Sequence, residues 1–510
     1  MSESDLQTAC LKGRSVRTCK YGSTMLKDTN IVLLLLLFCT TAVAFQTPPR
    51  IIYSNKPPLA TRRPLDVLFL SNNDHDDTES DVGSIAGASL LFAGTAVGAG
   101  MIALPAETLD AGFIPSISGL SVCWLFTYVT SMLTLEASWL AEEESDDSNG
   151  GGFLSISKMA LGIPGEVITA ALFWFLLTAI VVAYTAEGGQ LIAQFAKEFT
   201  DTTAITPTVG SLLFAGGFAS FAIAGTSRVD IINRAFVLGL VGTFIVIVGN
   251  VSPFVQVSNL LSHSDWTAVY PAGISIGILS FGAQNVVPTI LQYLNYDPEK
   301  TKKAILLGSL IPLVLYTMWE AVFLGIIDGS TVDSNSMEVV NVLGQVGGTT
   351  VTDLVELFSI CAIGSSMAGA SVSLVDFFVD AIELLSKDGP ESKTENLPAI
   401  NGINSVGAGT RTVAAIFALT PPVIISYAFP DVFLTALEEA GLLGGVSLYG
   451  ILPALCLLSL RPADNSSETK AMPGRLGGGK VTLFALLAIS SGLVLPEIAH
   501  VGRVVADKLQ

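Results

Sequence analysis

Two stretches place glycine, proline and polar side chains inside otherwise apolar runs. The first runs from Gly94 through Thr95, Ala96, Val97, Gly98, Ala99 and Gly100 to Pro105; the second runs from Gly277 through Phe281, Gly282, Gln284 and Asn285 to Pro288. Glycine loosens a helix, and proline withholds an N–H from the helical ladder. In lipid, broken backbone is tolerated only where protein buries it or where it lines a cavity. There, freed N–H groups hold a carboxylate and exposed carbonyls hold an ammonium group or a cation. The chemistry offered is the grip of a small zwitterion by Thr95–Gly100, with Phe281–Asn285 completing the cradle. Close helix packing through Gly-x-x-x-Gly spacing is the alternative.

Carboxylates supply the second kind of chemistry. Glu187, Glu320 and Asp376 fall inside apolar segments, where a charge is costly and usually functional, and a buried carboxyl suits proton carriage. Glu187 leads, because Tyr184 and Gly188-Gly189 surround it; each of the three also reads as a paired structural charge. Ser366, Gly369, Ser373, Asp376 and Asp380 recur at three- and four-residue steps, one small, polar stripe on a helix. Glu107 and Asp110 lie nearer a helix end and read as solvated.

An enzyme is not expected. The three histidines, His75, His263 and His500, are scattered, and no nucleophile–base motif appears. No cofactor or metal is implied: Gly474 to Lys480 imitates a phosphate loop, but Val481 stands where Ser or Thr would bind magnesium. The six cysteines form no close pairs and read as apolar packing groups.

The elements that position these residues are membrane helices. Half of the 510 residues are hydrophobic and only 14% are charged, with a mean hydropathy of +0.62; soluble domains carry about 25% charged residues. Eleven apolar segments follow, at about 84–111, 115–140, 167–196, 208–225, 230–250, 268–293, 303–327, 352–385, 411–428, 432–460 and 480–500. An inside N-terminus collects nearly all Lys and Arg of the loops on one side, from Lys158 to Lys480, and leaves Lys197, Arg503 and Lys508 opposite. The net charge of −19 argues against nucleic acid as a partner. The partners expected from these segments and their breaks are the bilayer and a small zwitterion. The breaks lie five segments apart, the pattern of an inverted-repeat transporter with a midplane site.

The N-terminus reads as an address. Ile31 to Cys39 is a short apolar core, and Ala42-Val43-Ala44 has the small-x-small pattern of a signal-peptidase site. Residues 1–44 are therefore a signal-peptide region. Phe45 to Leu65 holds Arg50, Lys56, Arg62 and Arg63 without an acidic residue, and Asn72 to Asp81 is an acidic linker. Together, residues 45–83 form a disordered transit-like segment ahead of a permease domain at 84–500 and a tail at 501–510. The Ala44–Phe45 junction resembles the bipartite plastid presequence of algae with secondary plastids, which implies a plastid envelope (inner) membrane. The alternative is a secretory signal or anchor, with the plasma membrane or an endomembrane as destination.

Further motifs give the chain a resemblance. Gly94-Thr95 through Pro105 and Ala111-Gly112-Phe113 are followed by Tyr184-Thr185-Ala186-Glu187-Gly188-Gly189, Phe281-Gly282 and Val286-Val287-Pro288. Ile311-Pro312 to Trp319-Glu320, Asp376-Phe377-Phe378 and Gly450 to Leu455 continue the series in order. Over roughly 84–460 the chain resembles the hydroxy/aromatic amino acid permease family, which includes tyrosine-specific and tryptophan permeases. The resemblance implies a leucine-transporter-like fold of two inverted five-helix repeats plus one extra helix, and proton-coupled symport of aromatic amino acids. Tyr184, within that series, is a further candidate substrate contact, and the resemblance places Ser365 and Ser366 where sodium-dependent members of the fold hold a cation, with helix packing as the alternative. Gln284-Asn285 departs from the family's more usual His-Gly. These two carboxamides are suited to hydrogen-bonding a phenol or an indole N–H, or alternatively to clasping a neighbouring helix. Within this fold the remaining alternatives are another neutral amino acid permease, sodium coupling, or a non-transporting amino acid sensor.

Overall fold

The computed structural model describes residues 83–144, 152–200, 205–224, 226–326, 343–344, 346–386, 408–461, 472, 475–477 and 479–509. The expected signal peptide, the transit-like segment up to residue 82 and the whole polar stretch Lys387 to Asn404 lie outside the described residues.

The described elements are helical. The first segment is two helices, α1 (Ile85–Ala96) and α2 (Gly100–Thr108), bent by 55° across Val97–Ala99. α3 (Phe113–Glu144), α4 (Phe153–Thr200), α5 (Pro207–Ala224) and α6 (Thr226–Val251) follow. The sixth segment is again two helices, α7 (Ala272–Ser280) and α8 (Val287–Tyr293), joined by a 3-10 turn at Gln284–Val286. Then come α9 (Pro298–Ile326), α10 (Thr349–Ser386), α11 (Ala408–Ala428), α12 (Phe433–Leu460) and α13 (Gly479–Leu509). Among the described residues nine helices are long and apolar enough to cross a membrane, and the bent pair α1–α2 makes ten. The one remaining expected segment, 208–225, is α5, which holds the shorter apolar helix Pro207–Ile223.

Local chemistry explains the ends. Ser84 accepts the Gly87 amide at 3.0 Å and starts α1. Asp297 accepts the Glu299 and Lys300 amides at 3.0 and 3.1 Å, ahead of Pro298 at the first turn of α9.

Three boundaries differ from the sequence expectation. α4 begins at Phe153, well before 167, and turns at Gly162, whose φ of 71° only glycine adopts freely. Gly162 and Pro164 hide this helix by reading as loop punctuation. α7 begins at Ala272, because residues 252–261 form short helical turns and the Asp265 amide reaches back to the Ala111 carbonyl at 2.9 Å. α13 continues past residue 500 to Leu509, through the expected tail.

Two groups of helices form the body. α1, α2, α3, α7, α8 and α9 pack together as a bundle; α4, α5, α6, α10 and α11 pack as a scaffold. α12 lies across both and carries α13. Its middle, Ala440–Ile451, is a π-helix, in which Gly441 fits against the Ser275 carbonyl while the Ser275 hydroxyl donates to the Glu438 carbonyl. A buried ion pair joins α3 to the end of α12: Arg461 Nε and Nη2 donate to the two Glu136 oxygens at 2.9 and 2.7 Å. Such two-point contacts compensate a buried charge well.

Candidate functional site

The two breaks meet. A Cβ added at Gly100 would stand 2.1 Å from Ser280 Oγ and 2.9 Å from Ser280 Cβ, so only glycine lets the first break approach the second. One added at Gly98 would stand 2.4 Å from Ser366 Oγ on α10. The Ala99 amide donates to that Ser366 oxygen at 3.0 Å. Ser366 thereby joins the break in the bundle to α10 of the scaffold.

One face of α9 satisfies the carbonyls that the first break sets free. The chain leaves the helical path at Val97, with φ −77° and ψ 119°, and Tyr316 OH lies 2.8 Å from the Ala96 carbonyl and 3.1 Å from the Ser280 carbonyl. Pro105 has no N–H for the carbonyl four residues earlier; that carbonyl belongs to Met101 and takes the Trp319 Nε1 proton at 2.6 Å. One turn on, Thr108 Oγ1 is 2.9 Å from Glu320 Oε2 and 2.9 Å from the Leu104 carbonyl. Glu320 is fully buried, and its Oε1 has no hydrogen-bond partner. Phe281 is buried edge-on against Tyr316, ring centroids 5.3 Å apart.

The other residues singled out by sequence take varied positions. Ala96, Gly98, Ala99, Tyr184, Phe281 and Gln284 are buried, Val97, Gly100, Gly282 and Ser366 partly so, and Thr95 and Asn285 exposed. The Thr95 hydroxyl donates to the Leu91 carbonyl at 2.9 Å. Gln284 Nε2 reaches Thr130 Oγ1 at 3.1 Å and the Thr127 carbonyl at 3.4 Å, the clasp to a neighbouring helix, while its buried Oε1 keeps no partner. Ser365 donates to the Ala362 carbonyl at 3.0 Å. Glu187 is buried within α4. Asp376 pairs with Arg411 of α11 at 2.7 Å, and Arg411 Nε also holds the Ala222 carbonyl at 2.7 Å.

Sequence reasoning passed over Tyr316, Thr108 and Ser280. The signal was present in part: Tyr316, Trp319 and Glu320 are three and four residues apart, so their hydroxyl, N–H and carboxyl share one face of an apolar helix.

Facing breaks in a bundle held against a five-helix scaffold define a leucine-transporter-like fold. The crystal structure of MhsT in complex with L-phenylalanine superposes on it with a TM-score of 0.50, covering 83% of this chain and 100% of that one at 13% identity. A model of the tryptophan/tyrosine permease family matches residues 82–495, and the chain belongs to that family. It is an integral membrane protein. Its relatives include tyrosine-specific transport system 2 of Haemophilus influenzae, 26% identical over 80% of this chain and 94% of that one. The tryptophan-specific transport protein of the same organism is also 26% identical, over the same shares. Glutamine transporter 2 of Aliivibrio fischeri is 24% identical over 79% of this chain and 98% of that one.

Proposed function

We propose that this protein is a secondary active symporter that carries an aromatic amino acid, tyrosine or tryptophan, together with a proton. The observation that carries the reading is the meeting of two broken helices at Gly100 and Ser280, with Ser366 bridging to the scaffold. The substrate's α-carboxylate and ammonium group bind the backbone of Val97–Gly100 and Phe281–Gly282, with Tyr184 beside them. The free Gln284 Oε1 accepts from the phenol or indole. Rocking of the bundle against the scaffold then exposes the site to each side in turn. The names of the relatives favour aromatic substrates; the glutamine transporter among them favours, as second reading, another neutral amino acid.

Glu320 is the proton carrier in this reading, ahead of Glu187 and of Asp376, which is ion-paired. A hydroxyl has one proton, so Thr108 cannot donate to both the Leu104 carbonyl and an ionised Glu320. A neutral Glu320 that donates to Thr108 satisfies both contacts. Glu320→Gln keeps that donor and removes the exchangeable proton. In proteoliposomes, uptake of labelled tyrosine driven by a pH gradient is expected to fall at least tenfold in this variant, while exchange without a gradient persists. Undiminished pH-driven uptake in the variant overturns the assignment.

The reading includes eleven spans, α5 among them, with the N-terminus inside, and residence in the plastid envelope by way of the presequence at 1–80. A fluorescent fusion of those residues that stays in the endoplasmic reticulum overturns that localisation.

A further inference from the structure

The Tyr316 hydroxyl sits at an unusual electrostatic position. α1 ends at Ala96 and α7 ends at Ser280, so the last carbonyls of two helices, each the negative end of a helix dipole, converge inside the protein. Converging buried carbonyls at broken helices are the ordinary setting for a cation. Here a neutral side chain fills the space between them: Tyr316 is fully buried, with its oxygen 2.8 Å from one carbonyl and 3.1 Å from the other. The oxygen ligands of a hard cation sit at about 2.0–2.6 Å and surround it, so a cation and this hydroxyl cannot share the position. The Phe281 ring packed edge-on against the phenol holds it there. Of the serines that the resemblance offers for a cation, Ser366 already accepts the Ala99 amide at 3.0 Å.

We propose that the Tyr316 hydroxyl takes the place of a sodium ion between the two helix ends, so that this chain joins its breaks without sodium. Tyr316 is a positioning residue: it acts through the backbone of Ala96 and Ser280. The inference rests on the carrier reading above, and sodium, not the amino acid, is its readout.

The test is the unfolding midpoint of the purified full-length protein, without amino acid, across a sodium chloride series with choline chloride holding ionic strength constant. A ligand that binds only the folded state raises that midpoint with its concentration. Wild type is expected to be indifferent to the exchange of choline for sodium. Tyr316→Phe deletes the donor and leaves two facing carbonyls; its midpoint is expected to be lower in choline and to recover in sodium. Tyrosine binding by the variant is expected to fall at least tenfold in choline and to be partly restored by sodium. A sodium-specific rise in wild type overturns the proposal, and so does a folded variant that sodium leaves unchanged. Should the variant not fold, wild type decides alone: indifference to sodium with uptake running in choline supports the proposal. A folded protein that exchanges no amino acid contradicts the carrier reading and leaves the melting result to judge Tyr316 separately.

Discussion

At the scale of single residues, the site is made by what glycine omits and what α9 provides. Gly100 lets Ser280 approach, the Tyr316 hydroxyl stands between the Ala96 and Ser280 carbonyls and shares its one proton with them, and Trp319 donates to the Met101 carbonyl. Gly100→Ala puts a methyl group against Ser280 Cβ as well as Oγ, and rotation of the serine relieves only the second clash. Separation of the breaks is the expected result, with tyrosine binding weakened at least tenfold. Equilibrium binding to the purified variant checks this, and an unfolding midpoint within a few degrees of wild type marks the loss as local. Sequence made part of this legible. Pro105 announces an orphaned carbonyl at Met101 by the spacing of a helical turn, yet nothing in the chain near it says that an indole 218 positions away will answer it. Partners at such separations are set by packing and escape local rules. The carboxamide of Gln284 illustrates the same gap, since its turn towards Thr130 depends on the path of α3.

At the scale of elements, breaks and ends were legible where one residue type dictates them. Both broken segments were marked by glycine and proline, and both are pairs of helices. The start of α4 was not, because Gly162 and Pro164 signal a loop while tertiary packing keeps residues 153–161 helical. α9 carries most of the contacts to the first break, so its own start matters. Asp297 is held below the ordinary carboxylate range, first by the hydrogen bond from the Lys300 amide. A lowered value in the folded state means that the ionised cap stabilises above the ordinary carboxylate range. That support is lost as pH falls through the lowered value. Asp297→Ala is expected to cost about 1 kcal/mol near neutrality. Midpoints of both proteins measured from pH 7 down to pH 3 are expected to converge at the acid end; a constant gap would show that the carboxylate charge is not the cause.

For the whole molecule, composition indicated a polytopic membrane protein, and the spacing of the two breaks indicated the inverted repeat. The division into bundle and scaffold follows from those repeats: each break sits in the first helix of its half, and the two halves bring the breaks face to face. Contacts that cross from bundle to scaffold include Ser366 on the Ala99 amide and Trp319 against Phe244 and Phe358; in the carrier reading, substrate sits between these two parts. Transport itself is read most directly by counterflow: purified full-length protein in liposomes preloaded with each of the twenty amino acids in turn, with labelled tyrosine or tryptophan outside. Breaks that grip an aromatic zwitterion predict uptake of label accelerated by internal tyrosine and tryptophan and by few others. Folded protein that exchanges none of the twenty would contradict it.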